Sequence, residues 1–565
     1  MTPSNPDDAI SEGLTSSRMN QQSALHRGIG WKGAFWIASG VPGLVLFSIG
    51  AIAATVGKPA WIVWLISITF GFLQAFTYAE IAGLFPHKSG GLSIYSAVAW
   101  VRYSKFAAAL AVWTNWIAWS PVLAIGSGLA AGYSISILFE ANSLVNTWQI
   151  TLLDLSMIKD GLSLRINATF ILGVTFLLSV FAVQHGGILR SVSATMGIGL
   201  IALIPLILIG LVPMITGDIV RENLYPLLPL SHDSNGNVIP GSWNLEGWKL
   251  MASGLFIAAW STYSFETSLC YTREFKNPKS DTFKAIIYSG LLCVAVFTLV
   301  PIAFQSHLGL GELVSPAIFN ESGELISPAV YDGMLASKIY SGTGVASALS
   351  SIVGGGVVIA NIMVILLILT LLLAIMTSMS GSSRTLYQAS VDGYLPKYLS
   401  SVNESGSPTK AMWTDLSYNL VLLMMSDYVF ILAASNVAYV IYQFLVLNSI
   451  WIHRMDRPNW SRPYRTPIIL VLIGCLLSYM NLGIMGLGAN VWGEGTLKTG
   501  LFFSLLIAPL FIYRHYYEDK GLFPKQLLAD VQISSEAEMR SKVWFYIPYI
   551  TLAIAIVVVC VSSNL

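Results

Sequence analysis

The sequence predicts an all-α polytopic membrane protein, and three observations predict it. Apolar stretches near 20 residues long, the length that crosses a bilayer as a helix, recur along the whole chain. Only 10% of the residues are charged while 55% are hydrophobic, and mean hydropathy is +0.68; a soluble domain carries roughly 25% charged residues to cover its surface. Taken as successive spans, these stretches also sort Lys and Arg about three to one onto one side, as the positive-inside rule requires.

The elements follow in order. Met1 to about Gly30 is polar, lacks a charged-then-apolar signal sequence, and reads as a flexible cytoplasmic tail. Spans are expected at 33–55, 60–84, 106–138, 166–184, 192–216, 247–271, 283–305, 346–378, 411–426, 430–452, 467–489, 499–513 and 543–562. The run at 106–138 is long enough to be strongly tilted. The run at 543–562 is set apart by a polar stretch containing Asp530, Glu536 and Glu538. With the N-terminus inside, the outside segments hold only Lys58, Lys159, Arg165, Arg221, Lys249, Lys338 and Lys498. The long outside loops, about 217–246 and 306–345, are rich in Gly, Pro, Asn and Ser. Cys270, Cys293, Cys475 and Cys560 lie in or beside apolar runs without metal-ligand spacing and read as small buried hydrophobes.

Two spans are interrupted. The first contains Ser39-Gly40-Val41-Pro42-Gly43. Pro42 removes a backbone donor, and the glycines permit non-helical dihedrals. In hydrocarbon the freed groups must find partners or line a cavity, so the segment reads either as a substrate-facing break or as a proline kink. The sixth contains Trp260-Ser261-Thr262-Tyr263-Ser264-Phe265-Glu266, polar where lipid-facing helices are apolar. It reads as a second break, its hydroxyls satisfying freed backbone groups, or as a hydroxyl-rich helix contact. Glu266, an ionisable group inside a span, is either a protonation site or a hydrogen-bond hub. Breaks at corresponding positions of two halves mark the substrate site of inverted-repeat transporters.

Three stretches carry a resemblance. Tyr78-Ala79-Glu80-Ile81-Ala82-Gly83-Leu84-Phe85-Pro86 is followed by Ser89-Gly90-Gly91 and Tyr95; the sixth span is followed by Arg273-Glu274-Phe275-Lys276-Asn277-Pro278-Lys279; and Gly381-Ser382-Ser383-Arg384, with Tyr387, precedes Asp392-Gly393-Tyr394-Leu395-Pro396, after the expected eighth span. In order and spacing, over about residues 33–455, these resemble the amino acid–polyamine–organocation permease superfamily, and are most similar to its bacterial amino acid permeases and antiporters. The resemblance implies a five-plus-five inverted-repeat (LeuT-like) fold: a first half over 31–216, a second over 247–455, and two to three additional helices in 456–565. It implies alternating access, with Ser39, Gly40, Pro42 and Gly43 at the substrate carboxylate and Trp260, Ser261 and Ser264 at its amine. A half-helix N-terminus favours an anion, and exposed carbonyls favour an ammonium. Trp260 would occlude the site, and Glu266 would link occupancy to protonation. Two departures stand out: the first break differs from the family's G-S-G-I-F, and Ser193 to Leu211 lacks the lysine of some proton-coupled relatives.

Trp113, Trp116 and Trp119 recur at helical spacing; they pack, or line the substrate pocket, for which Trp116, Trp119 and Ser120 are the candidates. Thr377 and Ser378 are a weak signal of a sodium site. His87, His185, His453 and His515 fall in expected loops at the inside ends of spans and need no special role. No nucleotide-binding, zinc-protease or nucleophile-elbow motif is present, and net charge is +1. These exclude an ATP-driven pump and a nucleic-acid partner and require no cofactor. The expectation is a non-enzymatic secondary transporter of the plasma (cell inner) membrane, monomer or homodimer, moving an amino acid or amine with protons as a candidate coupling ion. A neutral amino acid is preferred, because Glu266 is the only clear acidic residue deep in the core. A polyamine or organocation exchanger and a non-transporting sensor on the same fold remain as alternatives.

Overall fold

The computed structural model describes residues 27–140, 142–320, 322, 325–332, 339, 342–531 and 544–565. Residues 1–26 of the expected tail, Lys338, and Glu536 and Glu538 of the polar stretch lie outside them. Ten helices among the described residues are long and apolar enough to cross a membrane. The three other expected spans are also helical: the sixth, which is broken and polar, and those at Thr409–Leu423 and Ile547–Ser562, which are shorter. The molecule is an all-α, multi-pass membrane protein.

The first span is α1 (Trp31–Ala38), a 3-10 turn over Val41–Leu44, and α2 (Val45–Val56). It is followed by α3 (Ala60–Gly83) and α4 (Leu92–Trp100). The third span, 34 residues from Lys105 to Leu138, is interrupted once in its helical pairing. It comprises α5 (Lys105–Trp119) and α6 (Val122–Leu138), because Pro121 cannot donate to the helix ladder. The next pieces are α7 (Ala168–His185), α8 (Ile188–Ala202) and α9 (Ile204–Thr216), the last two divided just before Pro205. The sixth span is α10 (Leu245–Thr262) continued by a 3-10 segment, Ser264–Glu274, and α11 (Pro278–Leu308) follows. The expected span at 346–378 is two helices, α12 (Thr343–Val353) and α13 (Gly356–Val391), separated at Gly354 and Gly355, both with positive φ. Gly381, Arg384 and Tyr387, expected after this span, therefore lie inside α13. The chain continues through α14 (Thr409–Leu423), α15 (Tyr428–Asp456), α16 (Ile468–Gly488), α17 (Thr496–Leu505) and α18 (Ile507–Ile512), which runs into a π-helical turn over Tyr513–Glu518. Short α19 (Lys525–Val531) and then α20 (Ile547–Ser562) complete it.

Side-chain caps set several starts. Ser104, Asn167, Asn244 and Asp427 each accept a backbone N–H from the first turn of α5, α7, α10 and α15. Burial then sorts the spans: the most apolar stretch of α15 is 94% buried and that of α1–α2 is 89%, whereas that of α7 is 28%. The first span and α15 are thus the axis of the bundle, and α7 belongs to its rim.

The segments expected outside carry short strands that the turn-rich sequence did not announce. Gln149–Asp154 pairs antiparallel with Ser163–Asn167, Gln149 opposite Asn167. The two long loops join in one small sheet, where Val238 lies opposite Tyr331. At the other end, residues 28–30 are not a free tail: Gly28 N–H donates to Glu274 O at 3.0 Å and Lys276 N–H to Ile29 O at 2.7 Å. Cys560 is exposed rather than buried.

Candidate functional site

The two breaks meet. In the first, Ser39 Oγ donates to Trp36 O at 2.6 Å and Gly43 N–H to Gly40 O at 3.0 Å. Its glycines let it lie on α13: a Cβ on Gly40 would fall 2.4 Å from Leu373 O and 2.5 Å from Thr377 Oγ1, and one on Gly43 2.8 Å from Thr370 Cγ2. Thr377 Oγ1 donates to Ile37 O and Ser378 Oγ to Trp119 O, so both hydroxyls tie helices together. In the sixth span, Ser261 Oγ donates to Leu44 O at 3.2 Å, bridging the two breaks directly. Thr262 Oγ1 donates to Ala258 O at 2.9 Å and Ser264 Oγ to Trp260 O. Each of these hydroxyls donates to a backbone carbonyl at or within a turn of a break.

Trp260 sits beside them, 2% exposed, its Nε1–H donating to Ala118 O at 2.9 Å. Its ring lies 5.7 Å from Phe47 and 6.4 Å from Trp119, centroid to centroid. Trp119 is edge-on to Tyr439 at 6.1 Å. Tyr439 and Tyr442 donate to the Glu266 carboxylate at 3.1 and 2.8 Å. No cation among the described residues forms an ion pair with Glu266. The arrangement therefore brings together Ser39, Gly40, Pro42, Gly43, Trp260, Ser261, Ser264, Glu266 and Trp119, all buried.

Trp116 and Ser120 face elsewhere. Both donate to Asp415 Oδ1 of α14, at 2.9 and 2.5 Å, and Ser382 Oγ of α13 donates to Asp415 Oδ2 at 2.5 Å. Asp415 is fully buried, so Glu266 is not the only acidic residue deep in the core, and the ground for preferring a neutral substrate falls. Its signal was an acidic residue inside an expected span. Position 415 lies near the expected start of that span, where hydropathy does not tell a buried carboxylate from one that reaches water. Trp113, the third of the stripe, donates to Phe503 O at 2.8 Å.

On the side where Lys and Arg concentrate, the motif residues form buried ion pairs. Arg384 grips Glu274 through two bonds of 2.6 and 2.9 Å. Glu80 accepts from Arg454, Arg462 and the Thr466 N–H. Lys88, wholly buried, reaches Asp392 at 2.7 Å and Asp530 of α19 at 3.0 Å, and His87 meets Asp530 at 2.9 Å. Burial alone would lower the Lys88 pKa, but the two carboxylates outweigh it and raise it. The loop bearing Lys88 needs its glycines: Gly90 and Gly91 have φ of +88° and +85°, and a Cβ on Gly90 would meet Arg384 O at 2.9 Å. Two of the four histidines are buried in helical segments rather than in loops. His453 is buried within α15, 3.0 Å from Tyr95 O, and His515 is buried in the π-helical turn, 3.2 Å from Lys105 Nζ.

Comparison with known proteins adds the last observation. A family model described as amino acid permease matches residues 29–492. The chain is 23% identical over 376 residues to an uncharacterized transporter of Legionella pneumophila, covering 66% of this chain and 67% of that one. It is 22% identical over 484 residues to a polyamine transporter of Oryza sativa subsp. japonica, covering 81% and 75%.

Proposed function

Because the chain belongs to the amino acid permease family, we propose that it is a secondary transporter, not an enzyme, that moves an amino acid or related amine across the plasma membrane. The chain works as two five-helix halves, 31–216 and 247–455, alternating access around a site between the two breaks, with its N-terminus in the cytoplasm. The observation that carries this reading is the bond from Ser261 of the sixth span to the Leu44 carbonyl of the first, which holds the two irregular segments face to face. Ser39, Gly40, Pro42 and Gly43 face a carboxylate at the end of a half-helix. Trp260, Ser261 and Ser264 border the amine, and Trp260 with Trp119 closes over it. Glu266 answers the positive charge and exchanges it for a proton.

A second reading, exchange of a polyamine or other organic cation, is favoured by the surroundings of Glu266. An unpaired buried carboxylate, near the aromatic faces of Trp119, Trp260 and Phe47, suits a cationic ligand. The rice relative is named a polyamine transporter.

Uptake of radiolabelled amino acids and amines into proteoliposomes tests both. Saturable uptake of one class is expected, reduced at least about tenfold in Trp260→Ala and Gly40→Leu, equivalent to roughly 1.4 kcal/mol. Stimulation by preloaded substrate alone identifies exchange, and stimulation by external acid identifies proton symport. Wild-type protein that is correctly folded and carries nothing would sink the transporter reading in favour of a sensor.

A further inference from the structure

The turn between α5 and α6 presents Trp119 to the Trp260 site and, one residue on, Ser120 to Asp415. Asp415 is a fully buried carboxylate with three side-chain donors: Trp116 Nε1 and Ser120 Oγ on Oδ1, and Ser382 Oγ on Oδ2. Asn419, one turn along α14, supports the group, donating to Ser120 Oγ at 2.7 Å and accepting the Ala124 N–H at 3.1 Å. No lysine, arginine or histidine among the described residues pairs with Asp415. The charged and titratable groups of the neighbouring elements are engaged or remote. Arg384 of α13 is held by Glu274, and Tyr387 lies more than a turn beyond Ser382. Lys397 pairs with Asp519, and Tyr398 meets Thr414. His185 ends α7 exposed, and α6 contributes Tyr133 alone. On α14 itself, Lys410 is exposed and Tyr418 packs on Trp116.

Both protonation states find bonding partners here. Ionised, the carboxylate accepts all three donors, which stabilise the anion. Neutral, Oδ2–H donates to Ser382 Oγ, whose own hydroxyl proton is left a longer contact of 3.5 Å to Met379 O, a carbonyl shared with Ser383 Oγ. Hydroxyl rotation suffices for the change. A buried carboxylate with no counter-charge is costly when ionised, and three good donors offset much of that cost, so neither state is forbidden. Contacts of 2.5–2.9 Å around the group leave it a proton as ligand, not a substrate amine.

We propose that Asp415 is a proton-binding site, distinct from Glu266, whose occupancy is coupled to the transport cycle; the coupling, but not the site, rests on the transporter reading above. The linkage is mechanical. Ser382 shares α13 with Thr370 and Thr377, which contact the first break, and with Ser378, which holds Trp119 O. Ionised Asp415 ties α14 to α13 and to the α5–α6 turn through charge-assisted bonds. Protonation weakens those ties and frees α14 to move against the helix that carries the break.

Infrared difference spectroscopy of the full-length protein in liposomes, titrated from mildly acid to mildly alkaline pH, reads the site without any substrate. A protonated-carboxyl band lost in Asp415→Asn and retained in Glu266→Gln is expected. Ser382→Ala, which removes one donor to the anion, should raise the midpoint of that band by about one pH unit or more. A band unchanged in Asp415→Asn, or an unmoved midpoint in Ser382→Ala, would overturn the site. In proteoliposomes, Asp415→Asn should keep exchange at equal pH and lose the stimulation by a proton gradient. Retained stimulation would overturn the coupling. Wild-type protein that shows the band and transports nothing would remove the transporter reading and leave the proton site standing.

Discussion

Glu274 and Arg384 show how a single pair decides whether polar side chains survive in this interior. Both are buried, and they meet through two parallel bonds. Neither would be tolerated alone, because a buried charge without its partner is uncompensated. Glu274→Gln is therefore expected to destabilise the protein by about 3–5 kcal/mol, read as a lowered thermal unfolding midpoint of the purified protein. Glu274→Gln combined with Arg384→Met should recover much of that loss, since no orphan charge remains. If the single variant melts like wild type, the pair contributes nothing to the fold. The same reasoning applies to Glu80, Lys88 and Asp392: each is buried against an opposite charge.

At the scale of elements, the first break is defined by how closely it approaches α13. Gly40→Ala would place a methyl group against the Leu373 carbonyl, a backbone atom that cannot step aside. Overpacking of this kind costs about 1–3 kcal/mol, so the variant should unfold earlier and carry substrate more slowly than wild type; equal stability would mean that the break is displaced from α13. The position of both breaks was legible in the sequence, because Gly, Pro and hydroxyl residues inside apolar runs have few other uses. The extent of α13 was not. Hydropathy reports the surface a helix shows to lipid, and the last turns of α13 are covered by protein, so Ser380, Ser382, Ser383 and Arg384 read as the end of a helix that in fact continues to Val391. The interruption in the third span was hidden for the converse reason: Ser120 and Pro121 lie in an unbroken apolar context, and hydropathy carries no information on backbone hydrogen bonding. The burial of Asp415 has no mark in the sequence; only the packing of α5, α13 and α14 shows that it is sealed from water.

Across the whole molecule, the loop after α3, the end of α13 and α19 are drawn together around Lys88. The family match ends at residue 492, so α19 joins this cluster of ion pairs from outside the matched region. Burial pushes the Asp530 carboxyl upward, but the hydrogen bond from His87 and the charge of Lys88 outweigh it and hold its pKa below the ordinary aspartate value. A depressed carboxylate contributes stability above its unfolded value, near about 3.9, and loses it as pH falls through the lower folded value. Lys88 is raised, so its contribution holds below the ordinary lysine value, about 10.4, and is lost at still higher pH. Amide-exchange protection of residues 84–91 is thus expected to stay constant between roughly pH 4 and 10 and to fall in Asp530→Asn at neutral pH. Unchanged protection in that variant would show that α19 does not close this end of the bundle. His87 and Asp530 are 443 residues apart. A ribosome adding about 5–20 residues per second needs roughly 20–90 s to cover that interval. For that time the nascent first half carries a lysine whose final burial partner does not yet exist, so the completed C-terminal segment, and not the insertion of the early helices, sets the moment at which this face of the newly made protein can shut.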